Sequence, residues 1–295
     1  DLCKQEKTNF SIWSYDSSNS RYPLPDIEKN FSENIWQEVV AKAIPKVSNF
    51  TMLQERIASA NETADNPDVI VLNGTINIAE TLKITTPIKI IASTSEGVTI
   101  TRGPNLTGEF FNNTSTLTLE GITLDGGSGE TSIQAEAPLI TSSGSLTLNN
   151  CTLQNNNNSN ATDTGTGIFL QINDTSSLCS FNDVSFGKNS SDKIPHIKIE
   201  NGTDGKFTFN LGGSLAGGVP SIDMPFTTCI NISESLRIPD GESIKITLDK
   251  YTIGNRIISA NEGINVVDEI SNFSLTTTDE SWFIDSTGYL AKGDL

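Results

Sequence analysis

Histidine, cysteine, basic residues and long apolar runs are all scarce in this chain. One histidine, His196, occurs in 295 residues, and no eighteen consecutive positions are apolar, so no segment has the makings of a membrane-spanning helix. Nineteen basic residues face 36 acidic ones, giving a formal charge of −17. A surface this negative is repelled by phosphate backbones and anionic lipid heads, which excludes nucleic acid as a partner. The acids are dispersed rather than gathered in runs, as a solubilising surface requires. None of the four cysteines, Cys3, Cys151, Cys179 and Cys229, pairs with another at metal-ligand spacing. No two aspartates are adjacent, and serine nucleophile elbows and phosphate-binding loops are absent. Hydrophobic residues make up 35%, a low share that suits a chain with much exposed loop and little helix.

What the chain has instead is a repeat. TLTLEGITLDGG at Thr116–Gly127 returns 29 residues later as SLTLNNCTLQNN at Ser145–Asn156, and 33 residues after that as LCSFNDVSFGKN at Leu178–Asn189. Aligned, the copies give four apolar columns: Leu117, Leu146 and Cys179; Leu119, Leu148 and Phe181; Ile122, Cys151 and Val184; Leu124, Leu153 and Phe186. The residues between are mostly Thr, Ser, Asp, Asn or Gln, so one face of each strand is buried and the other wet. Corners at Glu120-Gly121, Asn149-Asn150 and Asn182-Asp183 break the alternation with residues that tolerate unusual backbone angles. One such unit cannot bury its own apolar face, whereas a stack can. Strand, corner, strand, loop and return describe a parallel β-solenoid; hairpins packed as an antiparallel sandwich are the competing reading. The columns place Cys151 and Cys179 inside as free, buried thiols. Cys3 and Cys229 either pair or remain two free thiols.

These segments resemble the right-handed parallel β-helix, or pectin-lyase-like, superfamily. The resemblance extends to the opening: a helix, then PDVIVLNGT, then strands on either side of TTP. It implies an all-β solenoid with a short N-terminal helical cap, right-handed as parallel crossovers generally are. Its coils are lengthened by insertions at Ser128–Ala137 and Asn157–Thr166. The tail, KITLDKYTIGNRIIS followed by WFIDSTGYL, is similar to segments of spirochaetal surface proteins with β-helix repeats.

Taken in order, residues 1–66 form an N-terminal arm and capping helices, 67–248 the parallel β-helix, and 249–295 a β tail that caps the far end. Phe10, Trp13, Tyr15 and Tyr22 lie in an irregular arm, as packing residues or as an aromatic platform for sugar. Helices are expected at residues 32–44, capped by Ser32 and stopped by Pro45, and at Phe50–Ala60. The third strand of each coil falls at Phe110-Phe111, Leu139-Ile140 and Ile168–Ile172. Asn155–Asn158 is either an exposed insertion or the start of an Asn ladder. LGGSLAGGV at Leu211–Val219 predicts a wide turn or a change of coil geometry. Strands follow at Thr228–Ile232, Ser235–Ile238, Ser243–Leu248 and Tyr251–Ile258. The many Asn-x-Ser/Thr triplets are no evidence of glycosylation in so Asn-rich a chain.

Enzymes of the resembled superfamily cleave acidic polysaccharides, the lyases with calcium-held carboxylates and an Arg or Lys base. The positions here that match are Glu120, Asp125 and Asp183 as oxygen ligands and Arg102, Lys188 or Lys198 as base. Calcium needs several oxygens converging on one point, and Asn149 and Asn150 separate Glu120 from Asp183 in the stack. His196, in PHIKIENG, lacks the glycine-flanked setting of the hydrolases and alternates with Ile197 and Ile199, which predicts an outward surface residue. No catalytic, cofactor-binding or metal site is assigned, calcium entering only with the lyase alternative. The reading is a non-enzymatic bacterial adhesin-like β-helix protein, secreted or at the cell surface and outer-membrane-associated, with its leader removed. Its loops meet a glycan or a host or cell-surface protein. A calcium-dependent, pectate-lyase-like enzyme and a purely architectural envelope component are the alternatives, and Cys3 near the start raises a lipoprotein anchor as a further option.

Overall fold

Thr116–Glu120 and Ser145–Asn149 show the same alternation of half-buried and buried residues, and they lie side by side in parallel. The computed structural model describes residues 45–293 apart from 62, 96, 128–134, 188–194, 204 and 280, and the backbone of three short strands before them. Three parallel sheets run along one axis. The first has eight strands, from Leu82–Ile84 to Phe273–Leu275. The second has nine, from Lys46–Val47 to Ile258–Ala260. The third has five, from Ile76–Ile78 to Ser185–Gly187. Every pairing within these sheets is parallel, which makes the fold an all-β parallel β-helix and removes the antiparallel sandwich.

The expected columns are real files of side chains. Ile88, Leu117, Leu146, Cys179, Phe209, Ile230 and Ile258 stack in register along the second sheet. Ile100, Leu124, Leu153 and Phe186 do the same in the third. They belong to one continuous apolar core reaching from Val47 to Leu290. The corner between second and third sheets is built from left-handed residues: Gly97, Gly121, Asn150, Asp183 and Gly213 all have φ between 50° and 82°. Backbone bonds link these corners coil to coil, Gly121 N donating to Asn149 O and Asn150 N to Asn182 O. Gly, Asn and Asp are the residues that adopt this conformation at least cost, which is why the repeat's alternation breaks there.

Helix α1, Phe50–Ala58, covers the open first coil through Leu53 and Ile57 and contacts the strands at Ile76–Ile78 and Leu82–Ile84. Asn49 is its N-cap: Oδ1 accepts from Met52 N at 3.0 Å, satisfying one of the helix's orphan donors. The expected helix at 32–44 lies outside the described residues. The arm is not wholly irregular: Leu2–Gln5, Asn9–Tyr15 and Arg21–Pro23 pair as an antiparallel meander.

The glycine-rich stretch ends the third sheet. After Ser185–Gly187 a loop takes the place of the next strand, and Phe186 N donates to Gly218 O. A Cβ on Gly218, at φ 145°, would stand 2.1 Å from Phe186 O, so only glycine closes this approach. Two expected strands shrink accordingly. Ser235–Ile238 keeps a single bridge, Ser214 to Arg237, and Tyr251–Ile258 yields to Ile258–Ala260. The tail folds back as a hairpin, Trp282–Ile284 with Leu290–Lys292, against the last strand of the first sheet. Among the described residues no helix is long and apolar enough to cross a membrane.

Candidate functional site

The carboxylates that matched a lyase's ligands do not converge. Glu120 leans along the second sheet to Lys89, 2.9 Å away. Asp125, on the third sheet, accepts from Gly127 N at 2.8 Å, Gln154 Nε2 at 2.8 Å and Asn155 Nδ2 at 3.0 Å. Asp183, at the left-handed corner, accepts from Ser214 N at 2.6 Å and Arg237 Nη2 at 3.2 Å. Each therefore holds neighbouring coils together. Among the described residues no three His, Cys, Asp or Glu side chains stand close enough together to hold a metal ion.

Arg102 is no base either. It is 4% exposed, and Nη1 donates to Leu106 O at 3.1 Å and to Gly108 O, while Nη2 donates to Asn156 Oδ1 at 3.0 Å. Its guanidinium lies over the Phe110 ring, 4.8 Å from the centroid. Burial pulls its pKa down to about 10, opposed by the charge of Glu109. At neutral pH it is a charged tie between loops, with no proton to take up.

Asn156 and Asn158 complete that tie, and neither expected role for the Asn run is the observed one. Asn156, fully buried, donates to Ala137 O at 3.0 Å and Thr166 O at 2.6 Å. Asn158 donates to Thr164 Oγ1 at 2.9 Å and Gly165 O at 2.7 Å. The Asn157–Thr166 insertion is thus sewn to the body of the rod. Its short helix α2, Ala161–Thr164, contacts the strand Ile197–Asn201, and Ala135 bridges to Asn158 in parallel. Residues 128–134 of the other insertion, and Lys188, lie outside the described residues.

His196 is not the expected surface residue. At the start of three successive first-sheet strands two neighbouring N–H groups share one acceptor: Phe110 and Phe111 on Leu139 O, Leu139 and Ile140 on Gly167 O, Gly167 and Ile168 on His196 O. This bulge breaks the alternation and turns both residues of a pair inward, so His196 continues the file of Phe110, Leu139 and Gly167. Its ring is tilted against Phe186, centroids 5.8 Å apart, and Nδ1 accepts from Ser221 N at 3.0 Å. That bond requires a neutral ring, and desolvation lowers the pKa from 6.5 to about 4. The unfolded chain therefore binds the extra proton between those values. Stability is whole above pH 6.5, falls through the window, and below pH 4 the loss is complete. The loss is expected to be about 3 kcal/mol. Denaturation curves of wild type and His196→Gln across this range test it; a wild-type decline no steeper than the variant's would refute it.

The cysteines behave as small hydrophobes. Cys151 and Cys179 are free and buried, and desolvation pushes both thiols up to about 12. Cys229 is free and half-buried, its Sγ 3.4 Å from Ser259 Oγ. Cys3 has no described side chain.

One residue of the candidate set does sit in a concavity. Lys198 points outward from the first sheet into a groove of about 470 Å³. Gln171, Asn173, Glu200, Asp223 and Asp249 share the groove with it. Parallel register creates this grouping. Gln171 pairs with Glu200 and Phe169 with Lys198, Lys198 pairs in turn with Asp223, and Asp249 follows the next strand. Lys198 Nζ binds Asp223 Oδ2 at 2.6 Å, with side chains 20% and 24% exposed. Asp249 Oδ1 accepts from Phe226 N at 2.6 Å. Glu200 is exposed and carries no ion pair among the described residues.

No family model, curated protein or solved structure matches this chain. The groove is therefore interpreted from its own residues. Sequence reasoning had Lys198 but missed its companions Gln171, Glu200, Asp223 and Asp249. The only available signal was IKIEN itself, whose alternation puts Lys198 and Glu200 on one wet face.

Proposed function

We propose that this chain is a non-enzymatic binding protein of bacterial surface type, exported, that presents a rigid rod to a glycan or a host or cell-surface protein. The observation that carries this reading is the engagement of Glu120, Asp125 and Asp183 by protein donors on adjacent coils. Side chains used in this way build the rod and leave the polar first-sheet groove as the place for a ligand. The PDVIVLNGT opening and the WFIDSTGYL tail support kinship with pectin-lyase-like folds and with spirochaetal surface β-helices. Fold alone does not decide activity. The test is saturable binding of the labelled chain to an array of glycans and matrix proteins. A specific signal is expected, and silence across the array would leave an architectural role in its place.

A second reading, a polysaccharide lyase, draws on Lys198 lying in a groove with three carboxylates. Absorbance of unsaturated products from uronate polymers, with and without calcium, separates the two. No product is expected, and product formation would overturn the non-enzymatic reading.

A further inference from the structure

The charge of the first-sheet groove selects its ligand, an inference that rests on the glycan-binding reading above. Among the described residues the one ammonium there, Lys198, is spent on Asp223 at 2.6 Å. Against it stand three carboxylates, Asp223, Glu200 and Asp249, for a net charge of −2 in the groove. The whole chain adds to this field with its charge of −17. A polyuronate entering here meets carboxylates with no uncommitted cation to receive it, and like charges brought together across an interface are costly.

We infer that the groove takes a cationic amino-sugar oligomer, a glycan whose ring substituents include free amines. The polar groups suit such a ligand. Gln171 and Asn173 offer amide donors and acceptors to hydroxyls, and the half-buried Pro225 offers a small apolar surface to a sugar face. Glu200 is exposed and has no ion-pair partner among the described residues, so it receives an ammonium without giving one up. Asp249 keeps one oxygen on Phe226 N and lies two strands further along the rod. Neighbouring strands are about 4.8 Å apart, so the two carboxylates recur on the order of 10 Å along the axis. A linear oligomer laid parallel to the rod reaches both.

The test is calorimetric titration of the full chain with glucosamine oligomers, with their fully N-acetylated counterparts and with galacturonate oligomers, at mildly acidic pH. Glucosamine oligomers are expected to bind best, with affinity falling as salt is raised. Glu200→Gln, a change at an exposed side chain without partners, is expected to weaken that binding about tenfold, as the loss of one charge-assisted bond does. Equal binding of the acetylated oligomer, tighter binding of the uronate, or an unchanged affinity in Glu200→Gln would overturn the amino-sugar assignment while leaving glycan binding intact. Failure of every glycan on the wider array would remove the glycan-binding reading itself.

Discussion

Replacing Arg102 with methionine is expected to lower the stability of the fold by about 3 kcal/mol, as two opposing terms show. Methionine strands three acceptors, Leu106 O, Gly108 O and Asn156 Oδ1, at about 1–3 kcal/mol each. It also recovers the cost of burying a guanidinium. The drop in pKa from 12.5 to about 10 puts that cost at about 3 kcal/mol. The stranded acceptors win at the middle of their range. Lysine should fall between the two, because a single ammonium lacks the planar fork that spans separate acceptors. Thermal and urea unfolding of the two variants measure this. A loss below about 1 kcal/mol in Arg102→Met would mean that water or loop rearrangement satisfies the orphaned oxygens.

Phe181→Ala is expected to cost about 3–5 kcal/mol, the usual range for emptying a buried aromatic site. Phe181 is wholly buried, and its ring lies 5.3 Å from that of Phe209 at 59°. It also stands between Leu148 and Leu211 in its file, so the cavity would open against the coils on both sides. Each coil of a solenoid touches chiefly its neighbours, so weakening one interface threatens to divide the cooperative unit. Unfolding followed by hydrogen exchange should show the coils at 145–154 and 207–212 losing protection with the mutated one. Thr147→Ala, on the half-buried outer face of the same sheet, should change stability by less than about 0.5 kcal/mol. Equal effects of the two substitutions would contradict the inward and outward assignment.

The files of Leu117, Leu146 and Cys179 were legible in the sequence because period-two alternation is a local property, readable within five residues. The left-handed corners were legible as well, since Gly121, Asn150 and Asp183 announce an unusual backbone by their type. His196 was not. A bulge at the head of the strand shifts the phase by one, and nothing in PHIKIENG marks it. Arg102 and Asn156 escaped for a different reason. Both bond to carbonyls of loops, and the two residues are 54 positions apart. Lys198 and Asp223 are 25 positions apart, whereas the repeat advances by 29 and then 33, so no single period finds the pair. What sequence patterning conveys is the phase within a strand; which wet residues become neighbours depends on the loop lengths between strands.

The 29-residue offset is shared by all three sheets at once, Phe111 with Ile140, Thr116 with Ser145 and Thr123 with Thr152. Excising residues 114–142 would join Asn113 to Ser143 and bring residues 146–149 down onto residues 88–91, with Leu146 meeting Ile88 and Leu148 meeting Ile90 inside the core. Reach is thus an independent variable of this architecture: a lineage can lengthen or shorten the molecule by whole turns, setting how far its tip stands from its base, while the ends and the groove keep their chemistry.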